Sequence, residues 1–122
     1  MLNISRLSKE LFKLLSTSEN ILIICHINPD GDAIGSQLAL YYYLQSKGIK
    51  AEMLSPNHIQ EFLKWMDGTE LIKIYIKNQK KYKKLIKEAD LIIMVDFNHS
   101  DRMGEAEKIV MKSSAKKVII DH

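Results

Sequence analysis

Apolar residues recur at helical spacing from Ile4 to Leu15, at Ile4, Leu7, Leu11, Leu14 and Leu15, with lysines and serines between them. That pattern predicts an amphipathic helix, which the polar stretch from Ser16 to Asn20 ends. From Ile21 to Ile27 the pattern changes to a short β-branched run that empties into Asn28-Pro29-Asp30-Gly31. This predicts a buried parallel strand followed by a loop. Asp32 can cap a second helix over Ala33 to Lys47, with Ile34, Leu38, Tyr41, Tyr42 and Leu44 available for burial and Gly48 as its stop. Ile49 to Leu54 is the second predicted strand. A strand, a helix and a strand of these lengths make a βαβ unit, so the sheet is expected to be parallel.

Beyond Pro56 the pattern predicts a short helix around Ile59 to Met66, a turn at Asp67-Gly68 and a helix over Asn78 to Glu88. A third strand at Leu91 to Val95, a helix over Glu105 to Lys112 and a fourth strand at Lys117 to Ile120 follow, the last running into Asp121 and His122. No repeat, low-complexity tract or Pro/Gly/Ser-rich linker divides the chain. The expected architecture is one α/β unit with a doubly wound, mostly parallel sheet and helices on its faces. Cys25, Trp65 and the tyrosine triplet Tyr41 to Tyr43 follow helix and strand faces and are assigned to packing.

The 122 residues are 46% hydrophobic and 27% charged, which fits a soluble domain with a core and excludes disordered, collagen-like and disulfide-scaffold classes. The single cysteine, Cys25, forms no internal disulfide, and the apolar runs fall short of the roughly 18 residues of a membrane span. Met1 to Lys13 lacks a secretory h-region, so a cytoplasmic location is expected, with no membrane partner. The net charge of +3 comes mostly from lysines, many of them between Lys73 and Lys87. A solvated lysine-rich helix face accounts for that run better than a nucleic-acid patch, because so small a charge is far from a strongly basic footprint.

Chemistry gathers at strand ends. The first strand delivers His26, Asp30 and Asp32, the third Asp96, and the fourth Asp121 and His122. In open parallel sheets ligands bind at the carboxyl ends of the strands, so these groups are expected to meet in one crevice. Taken singly, Asp30-Gly31 reads as a turn, Asp32 as a helix cap and His26 as an ordinary strand residue. Taken together, those readings leave unexplained why several strands finish with a ligand type at one edge. Crowded carboxylates repel unless cations or protons neutralise them. Oxygen ligands mixed with imidazole suit manganese, magnesium or iron rather than a structural zinc site. Two such ions would clamp a phosphoryl group and activate water, so phosphoester hydrolysis is the expected chemistry.

The segment His26-Ile27-Asn28-Pro29-Asp30-Gly31-Asp32-Ala33-Ile34-Gly35-Ser36 resembles the first motif of the DHH phosphoesterases, H-x-x-P-D-G-D-A-x-G-S. Val95-Asp96 resembles the second motif of that family, and Ile119-Ile120-Asp121-His122 the third, without its final histidine. The resemblance implies that His26 and Asp30 hold one metal, that Asp32 and His122 hold a second, and that Asp96 bridges the two. It implies a catalytic role for Asp32, Asp96 and His122, with Asp121 orienting its neighbours rather than ligating. The expected cofactor is a pair of manganese ions, with magnesium as the substitute. Ala33 to Ser36, the helix with Leu38, Leu40 and Leu44, and Phe97 to Gly104 are most similar to the nanoRNase and adenosine-bisphosphate phosphatase branch, a resemblance that makes Arg102 a candidate phosphate contact beside the plain surface reading.

Residues 1–122 are therefore expected to be the amino-terminal portion of such an enzyme, with the carboxyl-terminal substrate-binding domain absent from this chain and the chain inactive alone. The implied substrate is a short oligonucleotide or nucleotide, and the family admits a homodimer. Class II inorganic pyrophosphatases, cyclic-dinucleotide phosphodiesterases and RecJ-type single-strand exonucleases share similar metal motifs and are the neighbouring substrate readings. A non-enzymatic nucleotide- or metal-binding module is the reading from another class.

Overall fold

The computed structural model describes the backbone of residues 4–97 and 100–120 and the side chains of 5–97 and 103–120. Five strands, β1 (Ile21–Ile24), β2 (Ala51–Ser55), β3 (Lys73–Ile74), β4 (Leu91–Val95) and β5 (Lys116–Ile120), form one sheet in the order β3-β2-β1-β4-β5. Every pairing is parallel, with Ile24 opposite Leu54 on one side and Met94 on the other. Four α-helices, α1 (Ile4–Thr17), α2 (Gly31–Ser46), α3 (Gln79–Glu88) and α4 (Glu107–Lys112), cover the sheet.

Alternation along the strands divides the core in two. Ile21, Ile23, Met53, Leu91, Ile93 and Val95 pack with Leu15 of α1 and Ala33, Ile34, Leu38 and Leu44 of α2. Leu22, Ile24, Leu54, Ile92 and Met94 face the other way and pack with Ile86 of α3 and Val110 of α4. Because both faces are covered, the inner strands carry continuous apolar runs rather than an apolar and polar alternation. Each fully buried aliphatic side chain contributes about 1.5–3 kcal/mol. The fold is thus the expected doubly wound α/β sheet, parallel throughout.

The order of strands places a switch point beside β1. The chain leaves β1 for β2 and then β3, and returns to pair β4 on the opposite side of β1, with β5 beyond it. Connections depart from β1 and β4 in opposite directions, which opens a crevice between their carboxyl ends.

Several boundaries differ from the expected ones for identifiable reasons. Gly48 does stop α2, at φ 73°, with its N–H on the Gln45 carbonyl and the Ile49 N–H on the Leu44 carbonyl. This paired capping arrangement uses Ile49, so β2 begins only at Ala51. Asp30, not Asp32, caps α2: its Oδ1 accepts from the Ala33 N–H at 2.9 Å, which leaves Asp32 in the first turn. The expected helix at Ile59 to Met66 is only a 3-10 turn at Glu61–Leu63, and β3 has no counterpart in the sequence pattern because it is two residues long. A 3-10 segment at Ser100–Ala106 precedes α4, interrupted by Gly104. Trp65 is 78% exposed, and Tyr42 and Tyr43 also face solvent, so of those aromatics only Tyr41 packs on the core. Lys77, just before α3, and Lys80, Lys81, Lys83, Lys84 and Lys87 on it are exposed.

Two positions hold the loops that frame the strand ends, and each yields an expected outcome. The Asp90 carboxylate, just before β4, accepts the Glu19 N–H at 2.8 Å and the Asn20 N–H at 2.9 Å, which fixes the entry to β1 against the entry to β4. Desolvation pushes its pKa up, but N–H donors from Glu19, Asn20, Asp90 and Leu91 outweigh it and hold the carboxyl below the usual range. A depressed carboxylate stabilises the fold above its unfolded pKa and loses that contribution as pH falls through the folded value. Asp90→Ala is expected to cost about 1–2 kcal/mol in urea unfolding near neutral pH, the exposed position keeping the cost modest. The gap from wild type should shrink below about pH 4, and a gap that grows on acidification would contradict the assignment.

Gly104 adopts φ 58° and ψ −134°, a region that side-chain-bearing residues avoid, and a Cβ there would lie 2.9 Å from Ile27 Cδ1. Gly104→Ala is expected to destabilise by about 1–3 kcal/mol. An unchanged urea midpoint would show that the backbone relaxes freely there.

Candidate metal centre

His26 follows β1 and Asp96 follows β4, so the two flank the switch point. Asp30 reaches the same place from the loop that leads into α2. His26 Nε2 lies 3.8 Å from Asp30 Oδ1 and 3.7 Å from Asp96 Oδ2. One ligand atom from each of the three residues lies within 4.8 Å of the others. These separations exceed hydrogen-bond length, yet they suit donors arranged about a shared ion at about 2.1 Å each.

The local chain explains why each group points inward. His26 is buried, with its Nδ1 2.7 Å from the Ile27 carbonyl oxygen. A carbonyl only accepts, so Nδ1 carries the proton of that bond and Nε2 is the atom directed at the carboxylates, the tautomer a metal-binding imidazole needs. The ring also meets Phe97 edge to face at 6.2 Å, which restricts its rotation. Asp96 has φ 59°, and its N–H donates to the Ile120 carbonyl at 2.9 Å. That bond extends the β4–β5 pairing by one residue while the left-handed backbone turns the chain. Aspartate tolerates this conformation better than most residues, and such positions concentrate at functional sites. The Asp30 side chain is 63% exposed and keeps one oxygen on the amino terminus of α2, where the helix dipole favours negative charge.

The donor set therefore fits a divalent cation of the manganese or magnesium type, and the absence of thiolate from the cluster agrees with that choice. Cys25, next to His26, is fully buried, and desolvation pushes its thiol up to about 12, so it stays a packing residue.

Of the residues expected at the site, His26, Asp30 and Asp96 are brought together. Asp32 is exposed in the first turn of α2 and does not belong to that cluster. Asp121 and His122 lie outside the described residues, and Arg102 outside the described side chains; its backbone belongs to the 3-10 segment whose Gly104 abuts Ile27. Gln37 was not singled out by its pattern. It is buried on α2, and its amide donates to the Ile23 carbonyl at 2.9 Å and the Leu54 carbonyl at 3.0 Å, tying the helix to β1 and β2 one residue before each strand ends. A polar residue on the apolar stripe of Ala33, Ile34 and Leu38 is the signal that could have found it.

Among the described residues no helix is long and apolar enough to cross a membrane. The profile described as the DHH family, N-terminal domain, matches residues 20–122. Among solved structures, the chain is similar to an exopolyphosphatase-related protein from Bacteroides fragilis, at 41% identity and a TM-score of 0.89 over 93% of this chain. The matched region is 34% of that protein's chain, so this chain spans about a third of its length. With the motifs, the strand-end cluster and the profile over residues 20–122 in agreement, the chain belongs to the DHH family and carries its N-terminal domain.

Proposed function

We propose that the protein is a metal-dependent phosphohydrolase that cleaves short oligoribonucleotides and adenosine 3',5'-bisphosphate, with this chain supplying the metal-binding side of the active site. The observation that carries the reading is the meeting of His26, Asp30 and Asp96 at the switch point of a parallel sheet. In this reading those three residues would hold the first ion, and Asp32 and His122, with Asp96, would hold the second. Divalent ions so held supply Lewis acidity towards phosphoryl oxygens and an acidified water. The protein's own part is positional: Nδ1 of His26 stays on the Ile27 carbonyl, Asp96 is fixed by its bond to Ile120, and Asp30 by its cap on α2. Arg102 would neutralise a substrate phosphate, and Asp121 would orient its neighbours.

The resemblance of Phe97 to Gly104 to the nanoRNase branch supports the nucleotide substrate. A second reading is favoured by the similarity to an exopolyphosphatase-related protein: hydrolysis of phosphoanhydride chains at the same centre. Parallel assays of the full-length protein with manganese, on diribonucleotides, adenosine 3',5'-bisphosphate and linear polyphosphate, separate the two. Faster release from the nucleotides supports the first reading, and faster phosphate release from polyphosphate the second. Turnover of none of them would sink both.

Asp30→Asn and Asp96→Asn are each expected to lower kcat/KM about a thousandfold, the equivalent of the several kcal/mol that a held cation supplies. Chelation should abolish turnover of the wild type, and manganese should restore it. Asp32→Ala is expected to act similarly without moving the urea midpoint, because Asp32 is exposed; turnover at the wild-type rate would remove Asp32 from the site.

A further inference from the structure

The turn between His26 and Asp30 is held by a residue that lies outside the metal-binding motifs. Asn28, midway between the two, has φ 53°. Its N–H donates to Asn57 Oδ1 at 2.7 Å, and Asn57 Nδ2 donates back to Asn28 Oδ1 at 2.6 Å. Asn57 is itself anchored, since its carbonyl accepts the Ser55 hydroxyl at 2.7 Å, and Ser55 is buried at the carboxyl end of β2. The β2 edge contributes no member of the cluster, yet through this loop it holds Asn28, the positive-φ residue between His26 and Asp30.

We propose that Asn57 is a positioning residue for the His26, Asp30 and Asp96 cluster, clamping Asn28 in the left-handed conformation that turns both ligands towards Asp96. This rests on the metal-dependent reading above. Asparagine enters the left-handed region more readily than most residues, so Asn28 tolerates the conformation, but tolerance does not select it. The reciprocal pair with Asn57 selects it by satisfying the turn's N–H and its side-chain carbonyl together. Asn28 is exposed and Asn57 half-buried, so the pair adds little to the core. Its effect lies in geometry, where small displacements of a ligand reduce metal affinity far more than they reduce stability.

The test uses the full-length protein in two measurements. Amide exchange of Asn28 in the metal-free protein should quicken at least tenfold in Asn57→Ala. In Asn57→Asp it should stay near wild type, since a carboxylate accepts both the N–H and the rotated amide of Asn28. Calorimetric titration with manganese should show about tenfold weaker binding in Asn57→Ala, with the urea midpoint near that of wild type. Unchanged exchange in Asn57→Ala overturns the clamp, and quickened exchange with unchanged manganese affinity overturns the positioning role. Manganese binding absent from the wild type would overturn the metal reading itself, a result distinct from a wild type that binds and an Asn57→Ala variant that binds equally well.

Discussion

The parallel pairing of β1 with β2 on one side and β4 on the other is the constraint on which the site depends. An interior strand bonded along both edges and packed on both faces is held in register, because a shift of one residue would carry every side chain into the opposite core, where the close-packed neighbours are of different shape. With Ile24 fixed opposite Met94, the residues just beyond β1 and β4 emerge at one edge and one height. The strand order then keeps helical connections away from the gap between them. His26 and Asp96 thus come together as a consequence of register, before any attraction between them is considered.

Against that rigid frame, the loop residues depart from regular geometry. Asn28 and Asp96 are the positive-φ residues other than glycine among those described, and both lie within two residues of, or within, the ligand cluster. Local preference and global fold usually agree, and departures are expected where function imposes its own geometry. Each of the two has a compensating bond, Asn28 to Asn57 and Asp96 to Ile120, and the His26 ring is held on the Ile27 carbonyl. These bonds come from the Asn57 side chain in the loop after β2, the Ile120 carbonyl of β5 and the Ile27 carbonyl just past β1, so the cluster is built from most of the sheet rather than from one motif.

Much of this was legible in the sequence because buried parallel strands write themselves as unbroken apolar runs: Leu91 to Val95 is the predicted strand residue for residue, whereas the run Ile21 to Ile27 overshoots β1, which ends at Ile24 before the chain turns through Asn28. The ligand set at their ends followed from the same runs and from the resemblance of His26 to Ser36 to a DHH motif. What was not legible depends on contacts distant in sequence. β3 pairs through two residues and leaves no periodicity. The cap of α2 falls on Asp30 rather than Asp32, although both are aspartates with suitable neighbours, because the chain direction after Asn28 decides which carboxylate meets the first N–H groups. The exposure of Trp65 depends on how the segment after β2 folds over α2, where Leu63 rather than Trp65 turns inward. Asn57 carries no signal of its own, since Pro-Asn after a strand reads as any turn.

The central claim is that His26, Asp30 and Asp96 share a divalent cation. Anomalous diffraction at the manganese edge, from crystals of the full-length protein grown with the metal, tests it most directly. The account requires a peak at coordination distance from His26 Nε2 and from carboxylate oxygens of both Asp30 and Asp96, about 2.1 Å from each. Manganese bound elsewhere, with His26 still facing two unliganded carboxylates, would contradict it.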